Sequence, residues 1–225
     1  MDKYRHEYKY LCNSMQNAVI KLRAKGLLQV DKNAEVEGYY NIRSLYFDTP
    51  YNKCYYENEN GVDSRDKYRI RIYNANPNRI VLEKKCKRRQ MTLKKSCQIS
   101  RELCEDLMFQ RKIQIKDEMP RVLKELLLEM QMEAMKPVVI VEYQRYPFVN
   151  KNGNVRITFD EHIRSSNEIE RFLESQIVTR PILEMGRSVL EIKWDEFLPS
   201  YIEQHIQTGN LQWTSFSKYY LCRKY

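Results

Sequence analysis

Apolar and charged residues alternate one by one in several segments of this chain. Clear examples are KYRIRIY at residues 67–73 and SVLEIKW at residues 188–194. Because successive side chains of a β-strand point to opposite faces, each segment presents one apolar face and one densely charged face. The same basic residue types recur from segment to segment, which is unusual for strands that turn their charges to water. The pattern therefore predicts a closed sheet whose interior is charged.

The same patterns along the whole chain predict strands and helices in mixed order. Strands are predicted over residues 4–11, 43–47, 68–73, 80–87, 92–99, 138–146, 155–160 and 189–194. A helix with Met15, Val19 and Leu22 at helical spacing is predicted after Asn13 or Ser14. Further helices are predicted over residues 51–56, after Ser100, after Pro120, near 169–173 and over 196–206. No linker or repeat divides the chain, so we expect one α+β domain over residues 1–225, with a mostly antiparallel sheet.

Composition narrows the class of partner. Lys and Arg number 39 against 30 Asp and Glu, which gives a formal net charge of +9. Nucleic acid, an anionic membrane and a phosphorylated metabolite all suit such a surplus. The six cysteines form no Cys-x-x-Cys pair, so we expect reduced thiols rather than disulfides or a zinc site. No apolar run approaches the length of a transmembrane helix and no signal peptide is evident, so we expect a cytoplasmic protein.

The charged faces of the predicted strands share one composition. Taken together they collect Arg5, Glu7, Lys9, Arg69, Arg71, Glu83, Lys85, Lys87, Lys94, Arg156, Thr158, Asp160, Glu191 and Lys193. Solvated faces of an open sheet are the simplest alternative, but the opposite faces, such as Ile70 with Ile72, are apolar enough to need helices over them. An interior of this kind requires water, counterions or a highly charged ligand, and a chain of phosphates would satisfy it. Arg and Lys bind phosphate oxygens, while carboxylates on the same wall can hold a divalent cation.

Seven short motifs occur along the chain: YRHEYKY at 4–10, SLYFDT at 44–49, RIR at 69–71, LEKK at 82–85, RITFD at 156–160, LEIK at 190–193 and SFSKY at 215–219. These motifs resemble those of the VTC domain, the polyphosphate polymerase catalytic domain of the triphosphate tunnel metalloenzyme (CYTH-like) superfamily. They cover nearly the whole chain in the family's order. The resemblance implies an antiparallel eight-stranded β-barrel, or tunnel, with flanking helices. It also implies a divalent-metal-dependent enzyme, with Mn or Mg, that moves the γ-phosphate of ATP onto a growing polyphosphate chain.

The resemblance also assigns roles to residues. The catalytic residues would be Lys9, Arg69, Arg71, Lys85, Arg156, Glu191 and Lys218. Phosphate and ATP would be bound by Arg5, Lys87, Lys94, Tyr143, Arg145, Lys193 and Ser217. Glu191 and Glu7 would hold the metal, and Lys94 is chosen over Lys95 because Leu93 points outward. Tyr143 and Arg145 share strand parity with two valines, which suggests a bulge between them.

Three functions fit these residues. Cations outnumber acids on the predicted interior face, which favours holding polyphosphate over activating a water molecule, so polymerase is preferred to a hydrolase of the same fold. A non-catalytic polyphosphate-binding module is the third possibility. The basic run KKCKRR at residues 84–89 falls across a strand end and a turn, so no nucleic acid partner is expected.

Overall fold

The structure is a computed structural model that describes residues 4–89, 91–209 and 211–224. Helices flank one large antiparallel sheet, which confirms the predicted α+β class. The strands are β1 (His6–Cys12), β2 (Gln29–Val30), β3 (Tyr40–Asp48), β4 (Ser64–Tyr73), β5 (Asn76–Arg88), β6 (Met91–Ile99), β7 (Lys136–Asn150), β8 (Val155–Ser166), β9 (Arg180–Pro181) and β10 (Ser188–Trp194). The helices are α1 (Ser14–Leu27), α2 (Lys53–Glu59), α3 (Arg101–Met108), α4 (Arg121–Met132), α5 (Ser200–Ile206) and α6 (Lys218–Lys224).

Eight strands follow one another in the order β1-β10-β8-β7-β3-β4-β5-β6, with β2 paired to β7 and β9 paired to β8. The two edge strands of this path approach each other at an isolated bridge between Arg5 and Thr92. The amide of Arg5 donates to the carbonyl of Thr92 at 2.9 Å, and the amide of Thr92 donates to the carbonyl of Arg5 at 3.0 Å. The sheet therefore curves round on itself into a barrel-like tunnel.

Helices cover the outer, apolar face of the sheet in two places. Ile70 and Leu82 lie in one buried cluster together with Leu107 of α3 and Leu126 of α4. A second buried cluster packs α1 and α5 against the strands around Phe159. Each buried side chain of this size contributes about 1.5–3 kcal/mol to the stability of the fold. The apolar faces therefore anchor the helices, and the charged faces are turned inward.

Helix α1 packs through a different face from the one suggested by its apolar spacing. Met15 and Leu22 are 77% and 73% exposed, whereas Ile20 and Ala24 are buried. The helix begins immediately after buried Cys12, with a capping box at Asn13. This entry point fixes which side of α1 meets the sheet, because the cap sets the direction of the first turn.

An irregularity lies opposite Tyr143, in β8 and not in β7. The β7–β8 pairing steps from Glu142 opposite Arg164 to Gln144 opposite Glu161, so β8 carries one extra residue there. His162, within that stretch, has a positive φ of 50°, as a bulge often requires. Residues 139–145 of β7 keep a regular register with β3, so the two valines, Tyr143 and Arg145 share one face.

Those inward-facing valines have an apolar partner at one end of the tunnel. Val139 and Val141 belong to the same buried cluster as Tyr219 and Cys222 of α6. Helix α6 contacts both β7 and β8. The charged interior therefore ends where the C-terminal helix packs against the valines.

The structure also bears on the cysteines and on the possibility of a membrane-spanning helix. All six cysteines are free thiols. Within the described ranges, no helix has the length and hydropathy needed to cross a bilayer.

Candidate functional site

The interior of the curved sheet holds a cavity lined mainly by cations. Ten of the lining residues are Lys or Arg and two are Glu. The lining comprises His6, Glu7, Tyr8, Lys9, Tyr46, Asn58, Arg65, Lys67, Arg69, Arg71, Lys85, Lys87, Tyr143, Arg145, Glu191, Lys193, Trp213, Thr214, Ser215, Phe216, Ser217, Lys218 and Tyr219. Crowded like charges favour an anionic occupant. Most of the residues predicted from the sequence thus meet in one place.

Strands β1 and β10 bring two carboxylates and two lysines together. Their register sets Glu7 opposite Lys193 and Lys9 opposite Glu191. The Nζ of Lys193 lies 2.7 Å from Glu191 Oε2 and 3.1 Å from Glu7 Oε1. The Nζ of Lys9 lies 3.6 Å from Glu7 Oε2 and 3.7 Å from Glu191 Oε1. Both carboxylates therefore share both lysines.

These carboxylates are ionised because cations surround them. Burial opposes the ionisation of Glu7, but Lys85, Lys9 and Lys193 hold its pKa well below the ordinary value. The same balance applies to Glu191, where burial is outweighed chiefly by Lys193 and Lys218 and the pKa is again lowered. The cavity is consequently a site of alternating fixed charges with a surplus of cations.

A buried charge cluster lies beside this pair and joins the last helix to the tunnel wall. Lys218, at the start of α6, lies 2.5 Å from Asp160 Oδ2 and donates to Glu191 Oε1 at 3.1 Å. Arg145 donates to both oxygens of Asp160, at 2.6 and 2.7 Å, and to Glu191 at 3.3 Å. Burial disfavours the charge of Lys218, but Asp160 and Glu191 raise its pKa above the ordinary value. Lys218 is therefore a fixed cation inside the tunnel.

The opposite wall is organised around Glu83 on β5. Arg69 donates to Glu83 Oε2 at 2.7 Å, and Arg71 Nη1 lies 3.6 Å from the same oxygen. Arg69 also donates to the Tyr46 hydroxyl at 2.9 Å, and Arg71 donates to the Tyr143 hydroxyl at 3.2 Å. These bonds hold the guanidinium groups in defined orientations, as a bidentate phosphate contact needs.

Two lysines of the cavity lack enough counter-charge to offset their burial. The pKa of Lys85 falls to about 7, chiefly through burial and despite its contact with Glu7. Burial is also the main cause that lowers the pKa of Lys67 to about 7. Lys67 donates to Asn58 Oδ1 at 2.9 Å and to the Ser217 hydroxyl at 3.5 Å. An incoming anion would supply the charge that these lysines lack.

Lys67 and Arg65 are cavity residues that were not predicted: the strand was predicted to begin at Tyr68, although the alternating segment already included Lys67. Strand β4 in fact starts at Ser64. Arg65, Lys67, Arg69 and Arg71 alternate with period two, so extending the alternation towards the N-terminus would have found them.

The segment before α6 forms one side of the cavity. The amide of Thr214 donates to the carbonyl of Lys9 at 2.9 Å, and Lys9 Nζ donates to the carbonyl of Phe216 at 3.0 Å. The Ser217 hydroxyl accepts from the amide of Tyr220 at 3.3 Å, in the manner of a helix cap. The C-terminal segment is therefore tied to β1 at the point where Lys9 enters the tunnel.

Three predicted residues lie outside the cavity lining. Arg156 Nη2 donates to Tyr40 at 2.8 Å and to Asp31 at 3.0 Å. Arg5 pairs with Asp195 at 2.8 Å. Lys94 is half exposed and donates to Glu83 at 2.9 Å, which places it on the inward side of β6. Each pairs with a carboxylate, and Lys94 shares Glu83 with Arg69 and Arg71.

Glu7 and Glu191 are the carboxylates of the cavity lining that could bind a divalent cation. Within the described part of the chain, no group of three or more His, Cys, Asp or Glu side chains could form a metal cage. Mg²⁺, however, is commonly bound by one or two carboxylates together with substrate phosphates and water. Glu7 and Glu191 converge on the same two lysines, so the donor set fits that mode of binding.

The family model of the VTC domain matches residues 4–225. The chain belongs to the VTC domain family. The resemblance seen in the sequence motifs is thereby confirmed. A search of curated protein sequences finds no relative of this chain.

Solved structures support the tunnel fold of this VTC domain. A putative adenylyl cyclase from Hippeastrum, described as having a dominant triphosphatase activity, matches with a TM-score of 0.57 at 10% identity. That match covers 99% of this chain and 95% of the other. A putative adenylate cyclase from Bacillus halodurans matches with a TM-score of 0.54 at 11% identity, covering 95% of each chain. At these identities the likeness establishes the fold.

Proposed function

We propose that this VTC domain is a divalent-metal-dependent polyphosphate polymerase that uses ATP as phosphate donor, with residues 1–225 acting as one tunnel domain. The observation that carries the proposal is the charge balance of the cavity, where ten Lys and Arg face two Glu. Both glutamates are already paired with lysines at 2.7–3.7 Å. The unbalanced cations suit a chain of phosphates, which carries repeated negative charge.

The proposed reaction breaks the bond between the γ-phosphorus of ATP and its bridging oxygen to the β-phosphate, and ADP leaves. A terminal oxygen of the polyphosphate chain forms the new bond to that phosphorus. The acceptor oxygen is already anionic, so positioning and charge neutralisation supply most of the catalysis. Hydrolysis would instead need a group that orients and deprotonates water, typically a carboxylate. Both candidate carboxylates are paired with lysines in the free protein and are the proposed metal ligands, which leaves neither to deprotonate water and favours transfer to phosphate.

The cavity suggests a division of roles among its residues. Arg69 and Arg71, held by Glu83 and two tyrosines, offer fixed donors to phosphate oxygens. The lysines, which carry compact charges on flexible stems, would contact the phosphates along the tunnel. In this proposal the catalytic group is Lys9, Arg69, Arg71, Lys85, Glu191 and Lys218, and the phosphate-binding group is Lys87, Tyr143, Arg145, Lys193 and Ser217. Arg5, Lys94 and Arg156 would act from outside the lining, by long-range charge.

Glu191 and Glu7 are the residues that would hold Mg²⁺ or Mn²⁺. A bound cation would supply charge neutralisation to the β- and γ-phosphates. In its presence, Lys9 and Lys193 would be released from the carboxylates to contact phosphate oxygens. This exchange of lysine for metal is supported by the contacts that Lys9 and Lys193 make to both glutamates.

A hydrolase of the same fold is the second candidate. It is favoured by the convergence of Glu7 and Glu191 at one point of the cavity, and by the triphosphatase activity in the description of the Hippeastrum protein. A polyphosphate-binding module without turnover is the third.

Product analysis separates the three. Purified protein is incubated with ATP and Mn²⁺ or Mg²⁺, and long-chain polyphosphate is resolved from free phosphate. Polyphosphate is the expected product. Free phosphate alone would identify a triphosphatase, and binding of polyphosphate without either product would identify a binding module.

The metal role is tested by Glu191→Gln, with Glu105→Gln on the exposed surface of α3 as the matched control. The Glu191 variant is expected to lose metal-dependent turnover while still binding tripolyphosphate. Full turnover in this variant would rule out Glu191 as a metal ligand.

A further inference from the structure

An inward-facing arginine is paired with a carboxylate towards the end of the tunnel that lies away from α6. Arg156 lies directly opposite Lys193 in the β8–β10 pairing, and Lys193 lines the cavity. Directly opposed side chains lie on the same face of a sheet, so Arg156 points into the tunnel. Its Nη2 lies 3.0 Å from Asp31 Oδ2 and donates to the Tyr40 hydroxyl at 2.8 Å. About 13 Å of β8 separates Arg156 from Asp160, the partner of Lys218 on α6.

Asp31 also points into the tunnel. Its amide donates to the carbonyl of Pro147 at 3.0 Å, which continues the pairing of β2 with β7. Pro147 lies opposite Thr158, and Thr158 lies opposite Glu191 of the cavity lining. The Asp31 side chain is only 11% exposed, and its Oδ1 accepts from the amide of Asn33 at 2.9 Å. Its own turn therefore holds this carboxylate against the arginine.

Two polar atoms on the same wall are buried and have no hydrogen-bond partner among the described residues. They are the Nε of Arg156 and the Oγ1 of Thr158. Both belong to inward-facing side chains of β8. A buried donor without an acceptor costs free energy, and phosphate oxygens accept from guanidinium and hydroxyl groups alike. This end of the tunnel thus offers more donors than Asp31 satisfies.

We propose that Asp31 takes the place of a phosphate on Arg156 and thereby discriminates between short and long polyphosphate chains. The inference rests on the proposed function, because it takes polyphosphate to occupy the tunnel. A triphosphate binds among the central cations around Arg69 and Arg71 and leaves the pair of Asp31 and Arg156 intact. A longer chain extends along β8 past Lys193 and has to displace the Asp31 carboxylate, because like charges repel at this spacing. Arg156 acts on the cavity only by long-range charge until that displacement frees it to contact phosphate.

Asp31→Asn is the test variant, since it removes the charge and keeps the Oδ1 that accepts from Asn33. The new amide nitrogen cannot accept from Arg156, so the guanidinium becomes available to a phosphate. Affinities for tripolyphosphate and for long-chain polyphosphate are measured by calorimetry in EDTA. The variant is expected to bind the long chain about tenfold more tightly than wild type and tripolyphosphate equally well. Asp117→Asn removes the same charge from the exposed connection before α4 and should change neither affinity.

Arg156→Gln shows whether Asp31 acts through the guanidinium. In the Arg156→Gln background, Asp31→Asn should bring no gain in affinity for the long chain. Retained affinity for tripolyphosphate shows that each variant is folded. No gain for the long chain in Asp31→Asn alone, an equal gain for both ligands, or a gain that persists with Arg156→Gln would overturn the inference.

The same measurements separate this inference from the proposed function. Tighter binding of the long chain by Asp31→Asn, in a protein that makes no polyphosphate from ATP, would support the role of Asp31 and refute the polymerase. Binding of neither ligand by wild type or by Asp31→Asn would refute both.

Discussion

Glu191→Gln offers a quantitative test of how the tunnel balances its charges. The side chain of Glu191 is 5% exposed and lies within 3.7 Å of four cations. The amide of Gln keeps the shape but removes the negative charge. Four buried cations then lose their shared partner, and only the neighbouring carboxylates remain.

The size of the effect follows from the cost of leaving buried charges uncompensated. Breaking a buried ion pair by removing one partner costs about 3–5 kcal/mol. For a chain of this length, each kcal/mol shifts the melting temperature by roughly 2–4 °C. The variant is therefore expected to melt about 10 °C below wild type in EDTA at pH 7.

The pH dependence has a definite sign. The pKa of Glu191 is lowered by folding, so its contribution to stability is present above its ordinary value of 4.5 and is lost as the pH falls towards the folded value. The difference between wild type and variant should persist at neutral pH and narrow in acid. Glu105→Gln, which removes an exposed partner of Arg101 on α3, should change the stability by less than about 0.5 kcal/mol.

Addition of tripolyphosphate distinguishes a loss of charge in Glu191→Gln from a loss of packing. Without metal, the carboxylate repels phosphate, so the variant should bind tripolyphosphate at least as tightly as wild type. Its melting temperature should therefore rise more on addition of the same ligand concentration. The reasoning would be refuted by a loss of less than about 1 kcal/mol in urea unfolding, or by a smaller thermal shift with tripolyphosphate.

Lys67, Gly153 and Arg43 provide three further tests. Burial lowers the pKa of Lys67 to about 7, so the calorimetric affinity for tripolyphosphate should rise as the pH falls from 8 to 6. Lys67→Arg should reduce this rise and leave the part due to Lys85, whose pKa is also about 7. The lowered pKa of Lys67 should also make the unliganded protein more stable as the pH rises from 7 towards 10.5. Gly153→Ala should lower the free energy of unfolding, measured in urea, by more than about 2 kcal/mol, because φ is +68° and a Cβ would collide with the carbonyl of Phe197. Gly61→Ala is the control: φ is +66° but the space around it is open, so the free energy of unfolding should fall by only about 1 kcal/mol. Arg43→Lys should speed hydrogen exchange over residues 172–175, since Arg43 donates to carbonyls at both ends of that loop; unchanged exchange would show that the loop is held by other contacts.

Strand patterns predicted most of the tunnel wall. The alternation on β4, β5 and β10 put the correct side chains inward because apolar partners such as Ile70 and Ile192 are fully committed to the outer clusters. A two-residue period leaves only two choices of face, and one of them was apolar. This is why so many cavity residues could be named from sequence alone.

Helix faces and element ends were harder to predict. Met15, Val19 and Leu22 form a stripe on α1, but a helix has several possible stripes and the connection to β1 selects among them. The helix predicted over residues 196–206 begins only at Ser200, because Pro199 restricts the residue before it. Local sequence does not contain these constraints, which come from packing and chain entry.

Helix α6 was not predicted from the sequence at all. A helix of seven residues is unstable alone, so its sequence carries little signal of its own. It forms where Tyr219 donates to Asp48 and Cys222 joins the core. Lys218 then reaches Asp160 and Glu191, which lie on two different strands.

The position of α6 consequently depends on tunnel charges that are distant in sequence. Lys218 is the cavity cation that stands on a helix, so its contacts couple the C-terminal segment to the state of the phosphate site. Removal of Glu191 deletes one of its two carboxylate partners but leaves Asp160, which is fully buried. The helix should therefore remain docked in Glu191→Gln while the tunnel loses stability, and hydrogen exchange over residues 218–224 should rise less than that over β1. A greater rise in the helix would mean that Glu191, and not Asp160, is the main anchor of Lys218.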